Sequence, residues 1–228
     1  MNRLSADPDG ARAGTAATEG AVFGLLGLLI AFTFSGAAQR FDARRTLIVA
    51  EANAIGTAWL RLDVLPAAEC SALQQGFRAY LDERLATYRA LPDMATALAS
   101  WERAKGLQGE LWSRAVAACG GEGQPPTMLV LPALNEMFDL AAERTAAAEL
   151  HPPEIVFGLL IVLALGCALL AGFAMAASNT RNWTHRIAFA AVVSLTAYTI
   201  FDLEYPRRGL VRVDAYDHVL IELRASMK

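Results

Sequence analysis

A dense group of charged and polar side chains follows the first apolar run of the sequence. At about 100° per residue, one broad helix face carries Arg40, Arg44, Glu51 and Arg61, and a neighbouring face carries Asn53 and Thr57. Such a face lines an ion-accessible surface if several copies of the helix surround an axis. It equally closes a helical bundle if it pairs with acids of later helices, for which the candidates are Asp82, Glu83 and Glu102. Both interpretations stay open.

A second charged segment lies near the C-terminal end. Asp202 and Glu204 precede Pro206, and Arg207, Arg208 and Gly209 follow it. One interpretation is an anchor at a membrane interface. The other is a salt bridge from Asp202 or Glu204 to Arg44 or Arg45, which docks the tail on the earlier helix. The sequence does not choose between them.

Signatures of enzymatic and metal chemistry are missing from the sequence. There is no GxSxG, no phosphate-binding glycine loop and no HExxH, and the three histidines lie far apart. The three cysteines show no CxxC spacing. We therefore expect no enzyme, no cofactor and no metal, and the net charge of -3 gives no argument for a nucleic-acid partner.

Long apolar runs determine the class of protein. They occupy residues 20–38, 154–177 and 187–203, the last only with help from flanking residues. A bilayer core of about 30 Å requires roughly 20 apolar helical residues. Lipid offers no hydrogen-bond partner to the backbone, and a helix pairs its own backbone N–H and C=O groups. The first run is too long for a signal peptide and has no small-residue cleavage pattern. The sequence therefore predicts an integral membrane protein with three transmembrane helices in contact with lipid.

The segment between the first and second runs, residues 39–153, has helical patterning outside the membrane. A stripe with steps of three, four and seven residues extends the first helix until Pro66, and it comprises Phe41, Ile48, Ala52, Ile55, Trp59 and Leu62. Three further helices follow, and Asp93 is the expected N-cap of the second of them. No segment alternates as a strand does, so the predicted fold is all-α. Residues 1–19 are expected to be disordered, and 204–228 form a tail with a short amphipathic helix.

Two features of the predicted helices concern packing and orientation. Gly56 within a helix costs up to about 1 kcal/mol, and close helix approach is the expected compensation. Gly20, Gly24 and Gly27 form a small-residue stripe that permits tight packing in the membrane. Six arginines flank the membrane ends on one side and four on the other, which favours a cytoplasmic middle segment and tail.

Two segments resemble a bacterial membrane family of unknown function that is described as bestrophin-like. They read RFDARRTLIVAEANAIGTAWLRLDVLP and DLEYPRRGLVRVD. The motif residues are Arg44, Arg45, Glu51, Asn53, Gly56, Thr57, Arg61, Asp202, Pro206, Arg207, Arg208 and Gly209. Family members usually resemble four-helix membrane proteins. Residues 1–19 cannot span a membrane, so either the family's first helix is missing or the true start lies upstream.

The resemblance implies a function by analogy. Bestrophins are pentameric chloride channels with a helical cytosolic region between membrane helices, so it implies a homo-oligomeric, passive anion channel in the bacterial inner membrane. The helix from Gly20 would then face the pore axis. Arg40, Arg44 and Arg45 would form a basic ring at its cytoplasmic mouth. The alternative is a non-conducting scaffold or sensor, which uses the apolar stripe from Phe41 to Leu62 to bind a partner protein.

Overall fold

The computed structural model describes residues 8–91, 93–120, 125–176, 183–207 and 209–228. Within these residues the chain is helical and contains no strand, which confirms the all-α prediction. The α-helices are α1 Pro8–Arg61, α2 Ala67–Arg89, α3 Met94–Ala118, α4 Pro125–Glu149, α5 Glu154–Ala176, α6 Trp183–Glu204 and α7 His218–Ser226. Short 3-10 helices span Leu62–Val64 and Asp214–Asp217. The chain forms two compact units: unit 1 comprises Met1–Gln39 and His151–Glu204, and unit 2 comprises Arg40–Leu150 and Tyr205–Lys228.

Helix α1 begins earlier than the composition predicts. Residues 8–19 are helical, whereas the sequence analysis assigned residues 1–19 to disorder; residues 1–7 lie outside the described part of the chain. Proline is well placed at the first helical position, because its missing N–H has no helical acceptor there. Once nucleated, a helix lengthens at little cost through alanine-rich sequence. At its other end, α1 gives way to the 3-10 helix Leu62–Val64 just before Pro66.

Unit 1 consists of apolar helices whose inner and outer faces are both apolar. Its small core contains Leu26, Ala37, Leu160, Cys167 and Ile200. Two aromatic contacts join the helices: Phe23 meets Phe189 edge to face, and Phe157 stacks on Phe201. Large apolar side chains also point outward, among them Phe32, Leu169 and Ile187. Three described stretches are long and apolar enough to cross a membrane, namely Ala16–Val64, Pro125–Phe173 and Trp183–Glu204. The protein is a membrane protein.

Unit 2 is a helical bundle with a conventional buried core. The core includes Ile55 of α1, Leu73 and Phe77 of α2, and Leu134 and Met137 of α4. Asp93 caps α3 as predicted, because its carboxylate accepts hydrogen bonds from the N–H groups of Ala95 and Thr96 at 3.1 and 3.3 Å. Helix α4 continues through Pro132. Helix α7 buries Leu220 in the same core.

Candidate functional site

A fully buried carboxylate lies at the centre of unit 2. Glu51 of α1 has no exposed surface, and its two oxygens bind arginines from two other helices. Arg84 Nε of α2 donates to Oε1 at 2.7 Å, and Arg144 Nη1 of α4 donates to Oε2 at 2.7 Å. Both arginines are buried. A buried charge is tolerated only when it is paired and hydrogen-bonded. Glu51 therefore requires both arginines at hydrogen-bonding distance, which fixes the positions of α1, α2 and α4 relative to one another.

The ion pairs continue from Arg144 into the C-terminal segment. Arg144 Nη2 donates to Asp217 Oδ1 at 2.8 Å, and Arg207 Nη1 donates to Asp217 Oδ2 at 3.2 Å. We call Glu51, Arg84, Arg144, Arg207 and Asp217, together with Tyr88, the ionic cluster. It joins residues that are more than one hundred and sixty positions apart in sequence.

Tyr88 supplies the aromatic wall of the ionic cluster. The guanidinium carbons of Arg144, Arg207 and Arg84 lie 3.7, 5.0 and 5.1 Å from its ring centre. Arg84 also donates to the Tyr88 hydroxyl at 2.6 Å. Cation–π attraction strengthens as the pair loses water, so the ring stabilises several positive charges at once. Burial, and after it the negative charge of Glu51, raises the pKa of Tyr88, which keeps the phenol neutral.

The electrostatics of the ionic cluster hold Arg84 in its charged form. Burial alone would lower the pKa of Arg84, but the negative charge of Glu51 and the hydrogen bond that Arg84 donates to it oppose that effect, and the pKa is raised. The arrangement is therefore a set of permanent charges that fix helix positions. Within the described residues, no group of three or more histidine, cysteine, aspartate or glutamate side chains could hold a metal ion.

The predicted charged face of α1 points mainly into the bundle. Besides Glu51, Arg44 is buried, and Arg61 donates to the carbonyl of Leu129 at 3.0 Å. Bundle closure is thus the interpretation that these contacts favour. The acids that the sequence analysis gave as candidate partners for this face pair with other residues instead. Asp82 binds Arg224, Glu83 binds Arg103 and Glu102 binds Lys105.

Arg44 and Arg45 are neighbours with different surroundings. Arg44 donates from Nε to the carbonyl of Ala147 at 3.0 Å and from Nη2 to that of Leu150 at 2.9 Å. It therefore caps the C-terminal end of α4, where helix carbonyls lack partners and the helix dipole is negative. Arg45 is 40 % exposed, contacts Asp42 at 3.4 Å and lies over the Tyr216 ring. An exposed basic ring therefore cannot include Arg44 as it stands in this unit.

The remaining residues of the first motif divide between surface and core. Asn53 and Thr57 are exposed on α1. Gly56 faces α7, where an added Cβ would lie 3.4 Å from Leu223 Cδ1. One side chain of α7 therefore contacts Gly56, and the close helix approach expected from the sequence stays a prediction.

The second motif contributes to each unit separately. In unit 1, Asp202 and Glu204 are buried, and Glu204 Oε1 lies 3.0 Å from His151 Nδ1. In unit 2, the carbonyl of Pro206 accepts from the Val213 N–H at 3.2 Å and that of Gly209 from Arg212 at 3.2 Å. Arg208 lies outside the described residues. The predicted salt bridge of Asp202 or Glu204 to Arg44 or Arg45 stays a prediction.

Sequence comparison places this architecture in a family. The model of the Bestrophin-like domain matches residues 7–216. The chain belongs to the bestrophin-like family. This confirms the resemblance drawn from the two motifs. No curated protein and no solved structure matches the sequence.

The ionic cluster gives the two motifs of this bestrophin-like protein a common structural meaning. Glu51 belongs to the first motif and Arg207 to the second, and Arg144 and Asp217 link them inside unit 2. Sequence reasoning missed Arg84 and Arg144. A signal for both exists, because each lies on an apolar helical stripe: Arg84 follows Phe77 and Leu81, and Arg144 follows Met137 and Ala141.

Proposed function

We propose that this protein is a homo-oligomeric, passive anion channel of a bacterial inner membrane and not an enzyme. The family match over residues 7–216 carries the proposal, since bestrophins are anion channels. The order of the elements supports it, because a spanning segment in α1 precedes the helical bundle and two more follow it.

An uncovered face of α1 supports assembly around an axis. In unit 1, Leu25, Leu28 and Phe32 are 53, 53 and 68 % exposed. A Cβ added at Gly20, Gly24 or Gly27 would meet nothing within 4 Å. If copies of α1 surround an axis, such apolar side chains form a constriction that selects ions without buried charges. In unit 2, Asn53 and Thr57 are exposed on α1 and would line a polar vestibule.

Arg45 provides the positive potential that the proposal requires at the channel mouth. Its guanidinium is partly exposed, whereas that of Arg44 is buried against α4 carbonyls. A ring of exposed cations raises the local anion concentration, and salt screens this effect over about 10 Å at 0.1 M.

Planar-bilayer recording of the purified protein tests the proposal. We expect chloride-selective reversal potentials under a KCl gradient. Arg45→Gln should lower conductance and anion selectivity at low salt, and the difference should fade towards 1 M salt. Arg89→Gln, which removes an exposed arginine at the end of α2, is the matched control and should conduct normally. Absence of chloride conductance in the unmodified protein would reject channel function.

The scaffold alternative loses its main argument in this structure. The apolar stripe that was to bind a partner protein is largely buried in the protein's own core, as Ile48, Ile55 and Leu62 show. A channel therefore accounts better for the surfaces that remain exposed.

A further inference from the structure

Helix α3 has two apolar faces, and the described part of the chain covers one of them. Ala97, Ala104, Leu111 and Ala115 are buried in the core of unit 2. On another face, Met94 and Leu98 are 62 and 57 % exposed, and Trp112 and Val116 are exposed as well. We call residues 94, 98, 101, 105, 108, 112 and 116 the α3 seam; its steps of three and four residues are those of a helix-packing stripe. Exposed apolar side chains thus lie at both ends of the α3 seam, with Lys105 and the half-buried Gln108 between them, and exposed apolar surface of this kind marks an interaction site.

Helix α4 presents an outer face of complementary character. Its exposed charged residues are all acidic: Glu136, Asp139, Glu143 and Glu149. Its arginine, Arg144, is buried in the ionic cluster. Along the same outer face, residues 128, 132, 135, 139, 142 and 146 recur at steps of three and four; we call them the α4 seam. The α4 seam is mostly small or apolar, with exposed Pro132, Ala142 and Ala146 offering room for large side chains.

We propose that the α3 seam of one copy of this chain packs on the α4 seam of the next copy. The two helices have the same length, 25 residues each. Lys105 lies near the middle of α3 and Asp139 near the middle of α4, both exposed. Lys105 otherwise contacts Glu102 of its own helix at 3.7 Å, and Asp139 accepts from Asn135 at 2.8 Å. Pairing Lys105 with Asp139 aligns both seams.

The direction of the pairing follows from the chain and from symmetry. A short connection joins α3 to α4, so neighbouring helices run antiparallel. If the symmetry axis runs along the helices, rotation about it preserves those directions, and α3 meets the next copy's α4 antiparallel. With Lys105 opposite Asp139, large side chains meet small ones: Trp101 faces Ala142, Trp112 faces Pro132 and Leu98 faces Ala146. Because the two faces differ, the contact is heterologous and closes a ring if the rotation closes.

Two other occupants fit the α3 seam less well. A membrane surface favours a helix whose polar face is rich in lysine and arginine, whereas Glu102 and Glu110 accompany the cations of α3. An antiparallel α3–α3 pair centred on the seam would place Lys105 opposite its own copy. The acidic outer face of α4 is the better electrostatic match. The inference rests on the oligomeric part of the proposed function.

Disulfide crosslinking in native membranes tests the contact. In a Cys70→Ser background, Leu98→Cys combined with Ala146→Cys should give covalent oligomers of the full-length protein. Ala99→Cys with Ala146→Cys is the matched control; Ala99 is exposed but outside the α3 seam and should crosslink weakly. Mixing singly substituted chains should give dimers that contain one of each, which establishes that the bond joins two copies.

The self-association constant in detergent provides an independent test of the contact. Trp112→Ala should lower this constant by about tenfold or more, as for a buried tryptophan at an interface centre. Lys105→Glu should lower it by roughly threefold to tenfold, and adding Asp139→Lys should restore most of the loss. Arg89→Glu makes the same charge change outside the α3 seam and should have no such effect.

Three alternative results overturn the inference, each with a distinct pattern, and a fourth rejects only the channel. Crosslinks between two Leu98→Cys chains with none to Ala146→Cys would indicate α3–α3 pairing. The chain has 4 tryptophans, so quenching by brominated lipid that is lost in Trp112→Ala would assign the α3 seam to the membrane. An intact oligomer without either crosslink would place the interface elsewhere and leave the channel proposal standing. Crosslinked oligomers without chloride conductance would instead keep the interface and reject the channel.

Discussion

The two units solve the packing problem in different solvents. Unit 1 is apolar on its inner and outer faces, so polarity does not distinguish its core residue Leu26 from its exposed residue Leu28. Unit 2 separates an apolar core from a charged surface and then buries the ionic cluster inside. In lipid, helix association depends on van der Waals packing and small residues, because the tails are as apolar as the side chains. In water, burial provides the driving force and paired charges define which helices meet.

The ionic cluster should therefore be the feature of unit 2 that is most sensitive to a small change. Glu51→Gln removes a charge but little volume, and it leaves Arg84 and Arg144 without their buried carboxylate. Breaking one partner of a buried ion pair costs about 3–5 kcal/mol. We expect a loss of unfolding free energy of that size, measured by denaturant titration with labelling of the buried Cys119 thiol as the reporter.

A matched control uses an exposed ion pair of the same unit. Asp82 accepts two hydrogen bonds from Arg224, at 2.8 and 2.9 Å, and its side chain is 55 % exposed. Asp82→Asn should cost about 1 kcal/mol or less. Equal losses for the two variants would contradict the special role of the ionic cluster.

A pair of leucine truncations sharpens the comparison between solvents. Leu134 of unit 2 and Leu26 of unit 1 are both buried. Leu134→Ala should lower the unfolding free energy by about 2–5 kcal/mol. The substitution leaves a cavity in the core, and the removed methyl groups no longer contribute the free energy of transfer from water. Leu26→Ala should cost less, because the unfolded reference in lipid is already apolar.

The native cysteines report the two effects separately. Cys119 belongs to the core of unit 2 and Cys167 to that of unit 1, and both are buried. Pulsed labelling with a membrane-permeant thiol reagent should show faster reaction of Cys119 in Leu134→Ala and a smaller acceleration of Cys167 in Leu26→Ala. A larger acceleration at Cys167 would indicate that unit 1 does not use lipid as its solvent.

Features with a local cause were predictable from the sequence. Period and run length gave the all-α class and the apolar spans, Pro66 gave the end of the first long helix, and Asp93 gave the start of α3. Each depends on residues a few positions apart. The helix over residues 8–19 escaped prediction because it continues from its neighbour and has no apolar period of its own.

The partners within the candidate site were not predictable in the same way. Glu51 was identified as a motif residue, but its partners Arg84 and Arg144 lie 33 and 93 residues away. Arg44 likewise finds carbonyls 103 and 106 residues along the chain. The apolar stripes place Arg84 and Arg144 on inward faces, but a helical pattern does not specify which buried partner each arginine meets. That choice depends on tertiary packing, because a single sequence reveals the stripe but not the helix opposite it.

The smallest effect concerns a charged group at the surface of unit 2. Hydrogen bonds from the Thr96 hydroxyl and N–H, and then from the Ala95 N–H, lower the pKa of Asp93. A depressed carboxyl pKa stabilises the folded state above the unfolded value of about 3.9, and this contribution disappears as pH falls through the folded pKa. Hydrogen exchange at the first turn of α3 should therefore accelerate, beyond its intrinsic pH dependence, below about pH 4.

Asp93→Asn keeps a capping oxygen that does not titrate in this range, so it should abolish the additional pH dependence while retaining protection. Glu102→Gln, an exposed change on the same helix, should leave it intact. An unchanged pH profile in Asp93→Asn would show that the first turn of α3 is held by its packing in unit 2 and not by its cap.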